Sequence, residues 1–93
     1  MDTQNELAMA SSQVANEISR HKVIVGTKQL KKALAAGRAH RVYLALNADP
    51  AITEMLASLC RHNGVEIAWV KSMTDLGRAC GIEVGAAAAA AVD

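Results

Sequence analysis

The chain has 93 residues, of which 52% are apolar and 20% charged, and its formal net charge is +1. This length and composition exclude a disordered chain and a two-domain protein, so we expect one domain over residues 1–93, frayed at 1–6. No apolar run reaches the ~18 residues of a membrane span and the acidic start is unlike a signal peptide, so we expect a cytoplasmic protein without a membrane partner. We also expect a monomer.

The positive charge is concentrated in one segment. Between positions 20 and 41 the chain carries seven basic residues and no acidic one, namely Arg20, Lys22, Lys28, Lys31, Lys32, Arg38 and Arg41. The remainder holds three basic and nine acidic residues. A nearly neutral protein therefore has one strongly cationic segment, which is typical of polyanion binding.

The first predicted element is a helix over residues 3–19. Thr3 and Glu6 have capping-box spacing. One face of this helix carries the apolar residues Leu7, Ala10, Val14 and Ile18. A short linker then leads to a strand, Val23–Val25, that ends at Gly26.

A second helix is predicted behind Gly26, with Thr27 as its N-cap and Gly37 just past its end. Its periodicity turns Leu30, Ala33 and Leu34 inward and leaves Lys28, Lys31, Lys32 and Ala35 outside. The following strand, Val42–Leu46, is apolar throughout, which predicts that both of its faces are covered.

The third helix is predicted to begin with Asp49 as N-cap and Pro50 in its first position, and to end at Asn63-Gly64. Its apolar stripe is Ile52, Met55, Leu56, Leu59 and Cys60. A third strand, Val65–Val70, precedes a fourth helix that Ser72 opens and Gly81 ends, with Leu76, Ala79 and Cys80 inside.

The last element is the alanine run that follows Gly85. Propensity alone favours a helix, but a helix this short is marginal in water. A strand of small side chains would let helices pack closely on both faces of a sheet, so we favour a strand over residues 86–92. The alternation of helix and strand then predicts the α/β class, a three-layer α/β/α sandwich.

Catalytic and cofactor motifs are lacking. Gly26 has no second glycine at Gly-x-Gly-x-x-Gly spacing, and there is no phosphate-loop sequence. Cys60 and Cys80 fall on inward helix stripes without a Cys-x-x-Cys pair, which indicates buried thiols rather than metal ligands. We expect no enzyme, no cofactor and no metal.

The basic helix is the candidate binding element. Lys28 and Lys32 share a face and Gln29 flanks it. Lysine can donate to guanine O6 and N7, Gln29 can donate and accept at a base edge, and Lys31, Arg41 and the other cations can neutralise phosphates. The alternative is a solvated cationic face. Because only two aromatic residues are present, a structured RNA fits better than a stacked single strand.

Three stretches together resemble a known family. They are residues 26–32 (Gly-Thr-Lys-Gln-Leu-Lys-Lys), the strand and turn of 42–50, and residues 76–84 (Leu-Gly-Arg-Ala-Cys-Gly-Ile-Glu-Val). The order of these motifs is similar to that of the kink-turn RNA-binding ribosomal proteins, the superfamily of large-subunit ribosomal proteins seven-Ae and thirty-e, in particular its small bacterial members.

The resemblance implies a four-stranded mixed sheet and binding to kink-turns, in which tandem sheared G·A pairs beside a bulge bend a duplex sharply. It also implies a ribosomal or regulatory RNA as partner. The residues that would enter the groove at the G·A pairs are Gly26, Thr27, Lys28, Gln29 and Lys32. The loop that would cover the unstacked bulge nucleotides is Ile82, Glu83, Val84 and Gly85.

Two positions depart from the family pattern. Lys28-Gln29 stands where archaeal members have Asn-Glu, which would shift contacts from base discrimination towards charge, and Gly85 replaces a common proline. Two other functions remain open on the residues alone. One is a protein-interaction module whose basic face docks an acidic partner, and the other is a nucleotide binder at the Gly26 junction.

Overall fold

The computed structural model describes residues 8–92, which form four helices and four strands. In chain order these are α1 (Ser11–Ile18), β1 (Lys22–Val25), α2 (Thr27–Ala35), β2 (Ala39–Ala45), α3 (Pro50–His62), β3 (Glu66–Val70), α4 (Met73–Ala79) and β4 (Ala88–Val92). None of the described helices is long and apolar enough to cross a bilayer.

The four strands form one mixed sheet in the order β1-β4-β2-β3. β4 pairs antiparallel with β1 and with β2, and β2 pairs parallel with β3. The last strand of the chain therefore lies inside the sheet, between the first two. This confirms the expected four-stranded mixed sheet.

The alanine run forms the strand that the packing argument favoured. Every residue of β4 is buried. Ala89 and Ala91 contribute to the apolar cluster on one face of the sheet, and Ala88, Ala90 and Val92 to the cluster on the other. Methyl side chains leave room for helices on both faces, and the strand gains the backbone hydrogen bonds of two neighbours. The residues ahead of it, 86 and 87, lie outside the strand.

Two helices cover each face of the sheet. Val14 and Ile18 of α1 and Leu76 of α4 pack against Tyr43 and Val70 on one face. The other face is covered by α2 and α3, through Leu30, Ala33, Leu34, Leu56, Ala57 and Cys60. The three-layer α/β/α sandwich is thus confirmed.

Local sequence explains how α3 and α4 begin. The Asp49 carboxylate accepts a hydrogen bond from the N–H of Ala51 at 2.9 Å, and Pro50 is the first helical residue of α3. The Ser72 hydroxyl accepts from the N–H of Asp75 at 3.0 Å to cap α4. Both caps were predicted.

The prediction of one helix over residues 3–19 is wrong at residues 8–10. The N–H of Met9 donates to the Trp69 carbonyl at 2.8 Å, and the N–H of Lys71 donates to the Met9 carbonyl at 3.1 Å, so Met9 pairs with the outer edge of β3. Ala10, predicted on the apolar face, is the extended N-cap of α1. An open strand edge offers backbone partners that outweigh helix propensity here. Thr3, Glu6 and Leu7 lie outside the described residues.

Candidate nucleic-acid interface

Two of the predicted binding segments meet at one end of the sheet. Because β4 runs antiparallel to β1, the chain enters β4 where β1 finishes. The N–H of Gly26 donates to the Ala88 carbonyl at 3.0 Å, and the N–H of Ala45 donates to the Ala87 carbonyl at 3.0 Å. The start of α2 and the connection between α4 and β4 are therefore neighbours at this end, which we call the α2 end.

The N-terminus of α2 differs from the prediction in its cap. Gly26, not Thr27, is the N-cap, and Thr27 is the first helical residue. Gly26 has φ 107° and ψ 150°, a backbone conformation that glycine adopts readily, and it turns the chain from strand to helix in one residue. The N–H of Leu30 donates to the Gly26 carbonyl at 3.0 Å. Since glycine has no side chain to cap the helix, the N–H groups ahead of Leu30 are available to an external acceptor.

The side chains that α2 presents to solvent are basic or amide. Lys28, Gln29, Lys31 and Lys32 are exposed, as predicted. None of the three lysines forms an ion pair within residues 8–92, and the first turn of α2 holds no acidic residue. A lysine in the first turn opposes the helix dipole. Helix stability therefore does not explain Lys28, whereas an anionic partner would.

The second segment, which we call the 82–85 loop, presents an apolar side chain. Val84 is 71% exposed, and no other large apolar side chain among the described residues is classed as exposed. Glu83 and Gly85 are exposed beside it. Ile82 is only partly accessible and packs against the cluster beneath α1 and α4, so it anchors the loop. An apolar side chain standing in solvent is suited to contact an apolar surface of a partner.

The residues that support this loop were not predicted from the sequence. The N–H of Ala86 donates to the Met73 carbonyl at 3.0 Å, and the N–H of Met73 donates to Asn47 Oδ1 at 2.8 Å. Asn47 thereby ties the turn after β2 to the start of α4. Gly77 could have been predicted to have a role, because a glycine in a helix interior often marks a close approach of another backbone.

Arg41, also predicted to bind RNA, lies towards the opposite end of the sheet. It is paired with Ala91, three residues along β4 from Ala88, or about 10 Å at the usual rise of a strand. Its Nη1 donates to Glu17 Oε1, and its Nε lies 3.2 Å from Glu66 Oε1 as an ion pair without hydrogen-bond geometry. Two carboxylates thus hold the Arg41 guanidinium away from the α2 end.

The same carboxylate binds Tyr43. This side chain is 1% exposed, and its hydroxyl donates to Glu17 Oε1 at 2.7 Å. Burial raises the pKa of Tyr43 well above its ordinary value, and the hydrogen bond and negative charge of Glu17 raise it further. Arg41 lies over the ring, 5.7 Å from its centroid. Glu17, Arg41 and Tyr43 therefore join α1 to β2 as one polar network.

An open groove of about 410 Å³ lies beside this network. Its lining is Asn16, Glu17, Arg20, His21, His40, Arg41, Tyr43 and Ala91. The rings of His21 and His40 are 5.8 Å apart at their centroids. The groove carries charges of both signs and no part of the 82–85 loop.

The two cysteines belong to different faces of the sheet. Cys60 packs in the cluster beneath α2 and α3, and Cys80 against the cluster beneath α1 and α4. Burial raises the pKa of each thiol, which keeps it protonated at neutral pH. The prediction of a buried thiol is confirmed for Cys60, whereas Cys80 is only partly buried.

Comparison with known proteins adds to this geometry. The family model described as "Ribosomal protein L7Ae/L30e/S12e/Gadd45 family" matches residues 9–93. An "RNA-binding protein" of Bacillus pumilus is 50% identical over 68 residues, which cover 73% of this chain and 83% of that protein. The "Large ribosomal subunit protein eL8" of Halobacterium salinarum is 38% identical over 88 residues, covering 94% and 72%.

Among solved structures, the "Giardia lamblia 15.5kD RNA binding protein" superposes with a TM-score of 0.79 at 26% identity. The match covers 100% of this chain and 84% of that one.

Proposed function

Because the chain belongs to the ribosomal protein L7Ae/L30e/S12e/Gadd45 family, we propose that it binds structured RNA and stabilises kink-turn or similarly bent forms of it. Its relatives named above are RNA-binding or ribosomal proteins, and the chain is not an enzyme. One observation carries the proposal. The exposed start of α2 and the exposed 82–85 loop lie at the same end of the sheet, although more than 50 residues separate them in the sequence.

The start of α2 supplies the polar half of the interface. The free N–H groups and the positive end of the helix dipole favour a phosphate, and Lys31 adds charge. Lys28, Gln29 and Lys32 meet the edges of the sheared G·A pairs, where guanine offers O6 and N7 as acceptors. Gly26 and Thr27 bring the backbone close to the RNA because neither carries a long side chain.

The 82–85 loop supplies the apolar half. An unstacked nucleotide exposes the face of its base, and contact with Val84 removes part of that face and of the valine from water. Glu83 can accept hydrogen bonds from base amino groups. A regular duplex has no unstacked bases to offer to this loop, so the two halves act together only on a bent RNA.

The mechanism is a shift of population. Free RNA exchanges between extended and kinked forms, and a protein that binds the kinked form more tightly increases its share. No catalytic group or cofactor takes part. Arg41, tied to Glu17 and Glu66, contributes to the scaffold in this proposal.

The partner we infer is a ribosomal or regulatory RNA, and we expect the chain to bind it as a monomer that folds as one domain over residues 1–93. The compartment we infer is the cytoplasm, where such RNAs are found and where free thiols such as Cys60 and Cys80 stay reduced.

A titration with two RNAs tests the proposal. One is a kink-turn RNA, and the other is the same RNA with its tandem G·A pairs converted to Watson–Crick pairs. We expect the kink-turn RNA to bind at least about tenfold more tightly at fixed salt, since each lost base contact costs about 1–3 kcal/mol. Equal affinities would reject kink-turn recognition. If neither RNA binds at physiological salt while an acidic protein partner is retained in a pull-down, the protein-interaction alternative is correct.

A further inference from the structure

Gly77 lies buried in the middle of α4, where a glycine weakens a helix relative to alanine. A Cβ atom at this position would lie 2.1 Å from the Val84 carbonyl oxygen and 3.1 Å from its carbonyl carbon. Both atoms belong to the backbone, so rotating a side chain cannot relieve the contact. The present path of the 82–85 loop therefore requires the absence of a side chain at residue 77.

Further contacts hold the loop against α4. The N–H of Ile82 donates to the Gly77 carbonyl at 3.0 Å. At the other end of the loop, the N–H of Ala86 donates to the Met73 carbonyl at 3.0 Å. A Cβ atom at Gly85 would lie 3.1 Å from the Cβ of Met73, so the backbone of the loop also approaches α4 closely there. The loop is thus fixed at both ends, while the side chains of Glu83 and Val84 between them stand in solvent.

We propose that Gly77 is a positioning residue for the RNA interface, because it lets the loop lie against α4 and so keeps Val84 at the α2 end of the sheet. This inference rests on the proposed function. A loop that is already ordered loses little conformational entropy when RNA binds, whereas a loop displaced from α4 must be ordered at that moment. Gly77 touches no RNA itself, and its effect passes through the backbone of the loop.

The test compares Gly77→Ala with Gly64→Ala. Gly64 follows α3 at the opposite end of the sheet, where it has φ +68° and open space around its Cβ position. Alanine there strains the backbone without touching the loop, which makes it a matched control for loss of stability. Two quantities are measured, the hydrogen exchange rate of the Ala86 amide in the free protein and the affinity for the kink-turn RNA.

For Gly77→Ala we expect faster exchange at Ala86 and about tenfold weaker binding of the kink-turn RNA, because the loop must then be ordered on binding. Gly64→Ala should keep the wild-type affinity and the protection of Ala86. If Gly77→Ala does not fold, Gly85→Ala tests the second close approach of the loop to α4, at Met73, and we expect a smaller change of Ala86 exchange in the same direction.

The proposal is overturned if the variant keeps either wild-type exchange at Ala86 or wild-type affinity, or if Gly64→Ala weakens binding equally. A wild-type protein that does not distinguish the two RNAs rejects the proposed function instead. In that case the exchange rate at Ala86 still decides whether Gly77 positions the loop.

Discussion

On α2, which starts at the α2 end of the sheet, Lys28, Lys31 and Lys32 stand in solvent without a carboxylate partner in the described chain. Towards the other end, Arg41 is held between Glu17 and Glu66 and lies over a buried tyrosine. All four cations come from one basic segment of the sequence. The fold leaves the charge of the first group available to a partner and uses that of Arg41 internally.

This difference distinguishes cations that can contribute to RNA affinity from cations that contribute to the stability of the fold. A cation whose charge is already matched by carboxylates offers little to an incoming phosphate, because the phosphate must compete with them. A cation without a partner loses nothing when RNA arrives. Substitutions at the α2 end should therefore change RNA affinity more than folding, and substitutions in the network around Glu17 should do the reverse.

Reversing the charge of Lys28 is expected to have the largest effect. Lys28→Glu removes a proposed contact to guanine and puts a carboxylate against RNA, so affinity should fall by about 3 kcal/mol, on the order of a hundredfold. The same change should stabilise the fold by about 0.3–1 kcal/mol, since a carboxylate suits the first turn of a helix. Binding titrations measure the expected loss of RNA affinity, and denaturant unfolding measures the expected gain in stability.

The control is Lys22→Glu, which makes the same change in net charge at an exposed residue where β1 begins, away from the α2 end. It should lower RNA affinity only slightly at physiological salt. Equal losses from the two variants would mean that RNA responds to the net charge of the protein, and the contrast between the two ends would then have no role in binding.

Most of the architecture could be predicted from local sequence. Gly26, Asp49 and Ser72 mark where helices begin, and the alternation of helix and strand predicted the sandwich. The alanine run shows the limit of this approach, because its propensity indicates a helix and only the need for small side chains between two helical layers indicates a strand. Met9 was mispredicted because its partner, the open edge of β3, lies about 60 residues away in the sequence.

The proposed binding site could be predicted only in part, because neighbours in the sequence are not always neighbours in the fold. From Arg20 to Arg41 the chain follows β1 to the α2 end, returns along α2 and starts β2 towards the opposite end. The middle of the basic segment therefore lies at the α2 end, and its two flanks lie towards the other end. The charge pattern of residues 20–41 does not indicate that these cations lie at different ends of the sheet. The acids that hold Arg41 lie outside it, on α1 and β3.

Removing Arg41 tests the structural side of the contrast. Arg41→Ala should lower the free energy of unfolding by about 1–2 kcal/mol, mainly through its hydrogen bond to Glu17, because both of these side chains are only about a third exposed to solvent, whereas Glu66 is 71% exposed. RNA affinity should stay within about twofold of the wild type, since the residue is matched by carboxylates. Arg38→Ala, at an exposed residue just before β2, is the control for both measurements. A large loss of RNA affinity in Arg41→Ala alone would restore the prediction that Arg41 binds RNA.

The smallest expected effect, and the most specific to the network, belongs to the hydroxyl of Tyr43. Tyr43→Phe removes its hydrogen bond to Glu17 and should cost about 1 kcal/mol at neutral pH. Folding raises the pKa of this phenol above its ordinary value of 10.0, so the neutral form is favoured in the folded state. The resulting stabilisation is complete below pH 10 and is lost above it, at up to about 1.4 kcal/mol per pH unit. Unfolding at pH 7, 9 and 11 should show the wild type losing its advantage over Tyr43→Phe only at the highest pH. A difference that stays constant over this range would mean that the buried phenol is not held neutral by Glu17 and its surroundings.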